Sequence, residues 1–190
     1  MITDDKTITT PDYWNKIYSG NNDNAAVDAS NTKRPPNPFD RFSWVAKHAE
    51  GTAVLGIASG HAHIEKLIKA AHNDWNVIAS DQADLAAKAS GFKPYRVINA
   101  YSIPFIDKAF DTIICTQAME YMDDQEKFLL EARRVSKVLL LTVPIGEMLK
   151  WSQLRIYSEE NIKALLEPMG TIEVFEREGD LLLVKLKFND

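Results

Sequence analysis

The sequence has little that would cross-link the chain or anchor it in a membrane. Cys115 is the one cysteine among 190 residues, which excludes a disulfide within the chain and a metal site built from cysteines. No apolar run approaches the roughly 18 residues that a membrane-spanning helix needs. The polar, acidic N-terminal residues do not resemble a signal peptide. We therefore expect a cytoplasmic protein with no membrane segment.

Clustered positive charge is also scarce. The longest runs of cations are the pairs Lys33-Arg34 and Arg133-Arg134, and the formal net charge is −5. Proteins that bind a nucleic-acid backbone usually present a basic face. The charge pattern therefore disfavours DNA or RNA as a partner.

The composition predicts one globular domain over residues 1–190. Hydrophobic residues make up 45% and charged residues 26% of the chain, as in ordinary soluble domains, and this length can bury a core without disulfides or metal. An apolar island at 13–18 predicts a short helix from Pro11, and residues 20–38 are interpreted as a loop. We divide the domain into an N-terminal lid and loop segment, 1–38, and a core, 39–190.

Strand and helix patterns alternate through the core. Short apolar runs predict seven strands, at 52–57, 75–80, 95–99, 110–116, 136–144, 171–177 and 181–188. Strands separated by helices predict a largely parallel sheet with right-handed crossovers. The tight turn at 178–180 joins the last two strands as an antiparallel hairpin. The expected fold is α/β, a mostly parallel seven-stranded sheet with helices on both faces and this C-terminal hairpin.

Apolar residues at helical spacing predict the helices between these strands, at 63–72, 83–90, 123–135 and 158–169, and one that begins near residue 39. In the first of them, Ile64, Leu67, Ile68 and Ala71 share one predicted inward face. Ser158 and Asn161 at the start of the last one have the spacing of a capping box.

The first predicted strand ends in the small residues Ala58-Ser59-Gly60. Ligands bind at the carboxyl ends of the strands in an open α/β sheet, and a helix N-terminus offers free N–H groups there. A tight turn with no ligand would use the same residue types. The loop by itself leaves both interpretations open.

Polar residues also follow the next strands. Asp81 stands 21 residues after Gly60, a spacing suited to an acid that accepts hydrogen bonds from ribose hydroxyls, although Asp81 could instead cap a helix. Asn99, followed by Ala100, could pair with adenine or serve as a turn residue. Gln117 and Ala118 follow the fourth strand, where a reacting group would lie.

The segments VLGIASGHAHIEKLI, VIASDQADLAAKA and VINAYSIPFIDKAFDTIICTQAMEYMDD, in this order, resemble class I S-adenosylmethionine-dependent methyltransferases of the small-molecule type. The later segments EARRVSKVLLLTVP and YSEENIKALLEPMG fit the same family, and DYWNKIY is similar to its lid helix. The resemblance implies a Rossmann-like fold, S-adenosylmethionine as cofactor and S-adenosylhomocysteine as product. It also implies a small-molecule acceptor and a monomer or homodimer. The stretch after the fourth strand lacks an Asn-Pro-Pro-aromatic sequence, which disfavours methylation of nucleic-acid bases.

The resemblance implies roles for particular residues. Asp81 with its neighbour Gln82 would hold the ribose, Asn99 and Ala100 the adenine, and Gln117 and Ala118 would lie beside the sulfonium. The loop residues Gly56, Ala58, Ser59 and Gly60 would face the methionine part. The expected lid and acceptor residues are Tyr13, Trp14, Tyr18, Trp151, Arg155 and Tyr157. No metal site is expected, because His61 and His63 lack a third nearby ligand.

The chain departs from the family at four places. Ala62 stands where the family has a glycine, and alanine is often accepted at this helix-packing position. Gly56 stands where the family usually has an acid that helps to hold the cofactor's ammonium group, and Ala58 stands where it has a glycine. A lost charge-assisted hydrogen bond would weaken binding by roughly 10- to 150-fold. Tyr121 replaces a histidine that can act as a base, and it is a candidate for catalysis or for packing.

Three hypotheses follow. The first is an active methyltransferase acting on a small-molecule or glycan-like acceptor. The second is a catalytically inactive binding or partner-stabilising module, which the altered loop favours. The third is another nucleotide-binding enzyme such as a dehydrogenase, whose Gly-x-Gly-x-x-Gly spacing this loop does not supply.

Overall fold

A computed structural model describes residues 10–19, 40–145 and 155–189. The predicted loop at 20–38 lies outside these residues, and so does Trp151. Within them, no helix is both long and apolar enough to cross a membrane.

The described residues contain seven strands in one sheet. They are β1 (Ala53–Ile57), β2 (Asn76–Asp81), β3 (Tyr95–Val97), β4 (Phe110–Thr116), β5 (Ser136–Pro144), β6 (Gly170–Glu178) and β7 (Leu181–Phe188). Their spatial order is β3-β2-β1-β4-β5-β7-β6. The first five pair in parallel, while β7 runs antiparallel to both β5 and β6. The predicted α/β fold with its antiparallel C-terminal hairpin is confirmed.

The order of the strands places a switch point beside β1. From β1 the chain moves outward through β2 and β3, and then returns to the other side of β1 with β4. The connections on the two sides diverge there and leave a crevice at the carboxyl ends of the strands. The residues that follow β1, β2 and β4 therefore meet in one place.

The described helices are α1 (Pro11–Tyr18), α2 (Arg41–His48), α3 (His63–Ala71), α4 (Asp84–Ser90), α5 (Gln125–Val135) and α6 (Glu159–Leu166), with a 3₁₀ turn at Met119–Tyr121. The predicted capping box is present. Ser158 accepts a hydrogen bond from the Asn161 N–H, and the Asn161 side chain accepts one from the Ser158 N–H. This reciprocal pair satisfies two N–H groups that a helix start would otherwise leave free.

Two apolar clusters cover the two faces of the sheet. One lies under α5 and α6 and includes Leu55 and Phe128. The other lies under α2 and α3 and includes Val54 and Ile68. Because side chains alternate along a strand, Gly56 belongs to the same face as Val54 and is directed towards α3.

The inward face of α3 differs from the sequence prediction. Ile64 and Ile68 are buried as expected, but Leu67 is 41% exposed and Glu65 is only 2% exposed. The helix is rotated so that residues 64, 65 and 68 point to the sheet and Leu67 and Ala71 point away from it. The prediction is right for Ile64 and Ile68 and wrong for Leu67 and Ala71. An apolar periodicity does not reveal a carboxylate that is buried with a partner.

Candidate functional site

The loop after β1 is held in an unusual backbone conformation. Ala58, Gly60 and Ala62 all have positive φ, at 54°, 52° and 53°. The Ser59 N–H donates to the Ser80 carbonyl over 2.8 Å, which ties the loop to the end of β2. The Tyr95 hydroxyl, on β3, donates to the Gly60 carbonyl over 2.8 Å. Such strain is typical of sites that hold a ligand.

We predict that Ala58→Gly increases the free energy of unfolding by about 0.5–1 kcal/mol. A non-glycine residue in the left-handed region costs about 1–2 kcal/mol, whereas the extra flexibility of glycine in the unfolded chain costs about 0.5–1 kcal/mol. Urea unfolding measures the difference. Ala53→Gly is the control, because Ala53 begins β1 without a positive φ and should lose stability. Equal losses in both variants would contradict the argument.

Asp81 ends β2 and connects the loop with α4. Its Oδ2 accepts from the Gly60 N–H over 3.2 Å, and its Oδ1 accepts from the Ala83 N–H over 3.0 Å. The N-cap of α4 is Ala83, so Asp81 is not itself the cap. Burial raises the pKa of Asp81, while hydrogen bonds from Ala83, Gly60 and Gln82 oppose the rise. Each oxygen keeps a lone pair for a further donor.

Asn99 and Ala100 form the turn after β3. The Asn99 Oδ1 accepts from the Tyr101 N–H over 2.8 Å, and Asn99 forms an isolated antiparallel bridge with Ser102. Asn99 is therefore a turn residue, as one interpretation of the sequence had it. It is also exposed, and its Nδ2 group can donate to a ligand.

The chain after β4 approaches the same region. Gln117 has a positive φ of 48°, and its N–H donates to the Thr142 carbonyl over 2.8 Å. The 3₁₀ turn then brings Tyr121 against Trp14 of α1, with their rings edge to face at 5.2 Å between centroids. Burial and the charge of Glu120 raise the pKa of Tyr121, so its hydroxyl stays protonated near neutral pH.

Helix α1 covers these strand ends. The Asn15 Oδ1 accepts from the Leu85 N–H over 3.1 Å, which fastens α1 to α4. Tyr13 packs edge to face on Trp14, with 5.3 Å between centroids. A Cβ atom at Gly60 would lie only 2.8 Å from the Tyr18 hydroxyl oxygen. A residue larger than glycine at position 60 would therefore displace the Tyr18 hydroxyl.

These elements enclose a cavity of about 140 Å³. Its lining contains ten of the residues predicted from the sequence, namely Trp14, Tyr18, Ala58, Asp81, Gln82, Asn99, Ala100, Gln117, Ala118 and Tyr121. Four residues that the sequence did not predict complete the lining, namely Ile57, Ile98, Tyr101 and Met122. Three of these are ordinary apolar core residues by pattern, and no sequence signal marks them as facing a ligand.

Other predicted site residues lie outside that lining. They include Gly56, Ser59, Gly60 and Tyr13. Arg155 donates to the carbonyls of Met122 and Asp123, and Tyr157 is buried, with its hydroxyl accepting from the Gln125 side chain. Both residues fix the segment after β5 to the segment after β4 rather than face the cavity.

Comparisons with known proteins agree with this geometry. Residues 55–138 match the family model described as a methyltransferase domain, and no curated protein matches the sequence. Among solved structures, a SAM-dependent methyltransferase from Aquifex aeolicus is 20% identical, with 78% of this chain and 90% of that chain covered and a TM-score of 0.64. A SAM-dependent methyltransferase from Thermotoga maritima, described as a possible histamine N-methyltransferase, is 16% identical, with coverages of 78% and 87% and a TM-score of 0.64.

A third solved structure is the complex between the Haloferax volcanii Trm112 methyltransferase activator and a methyltransferase candidate. It is 11% identical, with 78% of this chain and 88% of that chain covered and a TM-score of 0.70. Residues 55–138 thus match a methyltransferase-domain model, and the chain shares the Rossmann-like fold of these solved structures.

Proposed function

We propose that the protein transfers the methyl group of S-adenosylmethionine to a small-molecule or glycan-like acceptor by direct displacement. The observation that carries this proposal is the cavity at the switch point, which polar residues from three strand ends line together. Asp81, Asn99 and Gln117 are these residues, and Ile98 and Met122 supply apolar wall between them. A few directed polar groups in an apolar pocket are what a nucleoside with a thioether chain requires.

The residues present fit the cofactor. Asp81 would accept hydrogen bonds from the ribose hydroxyls with the lone pairs that Gly60 and Ala83 leave free. Asn99 would donate to the adenine ring beside the Ala100 backbone. The apolar surface of Ile98 would lie against the base. These assignments follow from donor and acceptor chemistry and from the shared lining of the cavity.

When bound, S-adenosylmethionine supplies an electrophilic methyl group on a good leaving group, so the protein has mainly to align the acceptor and exclude water. Trp14 and Tyr18 line the cavity and would exclude water from a bound cofactor. Tyr121 borders it with a hydroxyl that keeps its proton, so Tyr121 orients an acceptor rather than acting as a base. We expect acceptors that need no strong base, acted on by a cytoplasmic monomer or homodimer.

A second candidate is an inactive binding or partner-stabilising module. The altered loop favours it, because Ala58 places a Cβ in a strained conformation at the cavity wall. The Haloferax volcanii complex with a methyltransferase activator shows that a chain of this fold can bind a protein partner.

Release of S-adenosylhomocysteine separates the two candidates. The protein would be incubated with S-adenosylmethionine and a panel of small amines, hydroxyl compounds and sugars, with Asp81→Ala as the binding-deficient control. We expect product with at least one acceptor class and none with the control. If the protein binds S-adenosylhomocysteine but forms none on any acceptor, the second candidate is the better account.

A further inference from the structure

A carboxyl group from α3 occupies the space that a side chain at Gly56 would need. A Cβ atom built on Gly56 would lie 1.8 Å from the Glu65 Oε1 and 2.8 Å from its Cδ. Gly56 has no positive φ that would require a glycine. The Ser59 Oγ would lie 2.4 Å from the same Cβ atom. The residue is therefore small because Glu65 and the Ser59 hydroxyl fill its position, and Gly56 and Glu65 form a sterically coupled pair.

Glu65 is fixed to the cofactor loop by a short chain of hydrogen bonds. The Ser59 hydroxyl donates to the Glu65 Oε1 over 2.6 Å. The Ser80 N–H donates to the Ser59 Oγ over 3.2 Å, and the Ser80 hydroxyl donates to the Gly56 carbonyl over 2.6 Å. The carboxyl thus lies under the residues that connect β1 with α3 and beside the end of β2.

An ordinary structural role does not explain this placement. An acidic residue in the first turn of a helix favours the helix dipole even when it is exposed, yet Glu65 is only 2% exposed. Burial raises the pKa of Glu65 to about 7, and the negative charge of Asp81 adds to the rise. A carboxylate buried to this degree destabilises the fold, and the Ser59 hydrogen bond and the charge of Lys66 offset only part of that effect. This remaining cost indicates that the charge serves a ligand.

We propose that Glu65 supplies, from helix α3, the negative charge that attracts the ammonium group of the cofactor's methionine part, in place of an acid on strand β1 at position 56. Glu65 is a positioning residue, because it acts through Ser59 and through its electric field across the loop at 58–60. The inference rests on the proposed function, since it assigns one part of the S-adenosylmethionine site. It also explains how a loop with Gly56 retains affinity for that cofactor.

The first test compares a ligand that carries the amino-acid part, with its ammonium group, with one that lacks that part. S-adenosylhomocysteine carries it, whereas 5′-methylthioadenosine has the nucleoside without the amino-acid part. Calorimetric titrations at pH 8 would use the wild type, Glu65→Gln, and Asp84→Asn, which neutralises an exposed carboxylate outside the cavity lining. We expect Glu65→Gln to weaken the affinity for S-adenosylhomocysteine about 10- to 100-fold. Its affinity for 5′-methylthioadenosine should stay within about twofold of the wild-type value.

A merely structural role would give a different pattern. Glutamine has nearly the shape of glutamate and can still accept the Ser59 hydrogen bond, and it removes a buried charge. Glu65→Gln should therefore melt no lower than the wild type at pH 8 while binding S-adenosylhomocysteine more weakly. Asp84→Asn should bind both ligands like the wild type.

The second test moves the carboxylate from position 65 on α3 to position 56 on β1. Gly56→Asp alone should lose most of its folded population at moderate urea concentration, because its Cβ collides with Glu65. Glu65→Ala alone should fold but bind S-adenosylhomocysteine as weakly as Glu65→Gln does. The double variant Gly56→Asp/Glu65→Ala should fold better than Gly56→Asp and bind more tightly than Glu65→Ala, because the carboxylate returns on the strand.

The outcomes separate the inference from the function on which it rests. Wild-type protein that binds neither ligand overturns both. Two results would overturn the inference and leave the proposed function standing. One is equal affinity of the wild type and Glu65→Gln for S-adenosylhomocysteine. The other is a loss of affinity in Glu65→Gln that is equal for both ligands.

Discussion

Replacing Asp81 with alanine is expected to weaken the binding of S-adenosylmethionine and S-adenosylhomocysteine by at least about tenfold. The variant removes the carboxylate that would accept the ribose hydroxyls, and a hydrogen bond to a charged group is worth about 1.5–3 kcal/mol. It also releases the Gly60 N–H from the 3.2 Å hydrogen bond that positions the loop. Calorimetric titration measures the affinity.

The same variant should change stability only modestly. Hydrogen bonds from Gly60 and Ala83 are lost, at about 1 kcal/mol each, but a buried carboxylate is lost with them, which offsets part of that cost. Asp84→Ala is the matched control, because it removes an exposed carboxylate three residues away. If Asp81→Ala loses stability but keeps its affinity, Asp81 only supports the turn into α4.

Glu120→Gln is expected to raise the free energy of unfolding by roughly 2–4 kcal/mol at pH 8 and by less than about 1 kcal/mol at pH 5. The Glu120 side chain is fully buried, and within the described residues neither carboxyl oxygen has a hydrogen-bond partner. Burial raises the pKa of Glu120 from 4.5 to about 8, against the opposing attraction of Arg41.

The sign of the pH effect follows from proton binding. Between about pH 4.5 and 8, the folded state holds the proton of Glu120 and the unfolded state releases it. The native state therefore loses stability as the pH rises through this window. Glutamine is neutral throughout, so its advantage grows with pH. Urea unfolding at several pH values measures the difference.

Glu131→Gln provides a control with the opposite sign. The Arg134 side chain lowers the pKa of Glu131, against the effect of partial burial, so its ionised form is favoured in the fold. Its replacement should lower the free energy of unfolding at pH 8. A Glu120→Gln variant that is destabilised at pH 8 would show that the carboxylate has a stabilising cation beside it.

The sequence predicts the sheet well, because strands and helices differ in period. β4 and β5 have the predicted bounds, and the capping box at Ser158 is read from two residues three apart. The predicted bounds are wrong where a contact with a residue outside the strand determines where the strand ends. The predicted strand at 95–99 is shorter, since Asn99 leaves the sheet to receive the Tyr101 N–H.

The candidate site is predictable only in part for the same reason. Asp81 and Asn99 are visible because each follows a strand, and strand ends converge in a parallel sheet. Glu65 is not visible, because its role depends on a missing Cβ nine residues earlier in the chain. The sequence shows that position 56 lacks an acidic side chain, and only the structure shows that the Glu65 carboxyl fills the space of that side chain.

Calorimetric titration of the wild-type protein with S-adenosylmethionine, S-adenosylhomocysteine and NAD tests the central claim most directly. The cavity at the ends of β1, β2 and β4 predicts micromolar dissociation constants for the two sulfur compounds. It predicts no binding of NAD, because the loop lacks the glycine spacing of a dinucleotide site. Failure of both sulfur compounds to bind at millimolar concentration would contradict the account, and binding of NAD alone would assign the cavity to another class of enzyme.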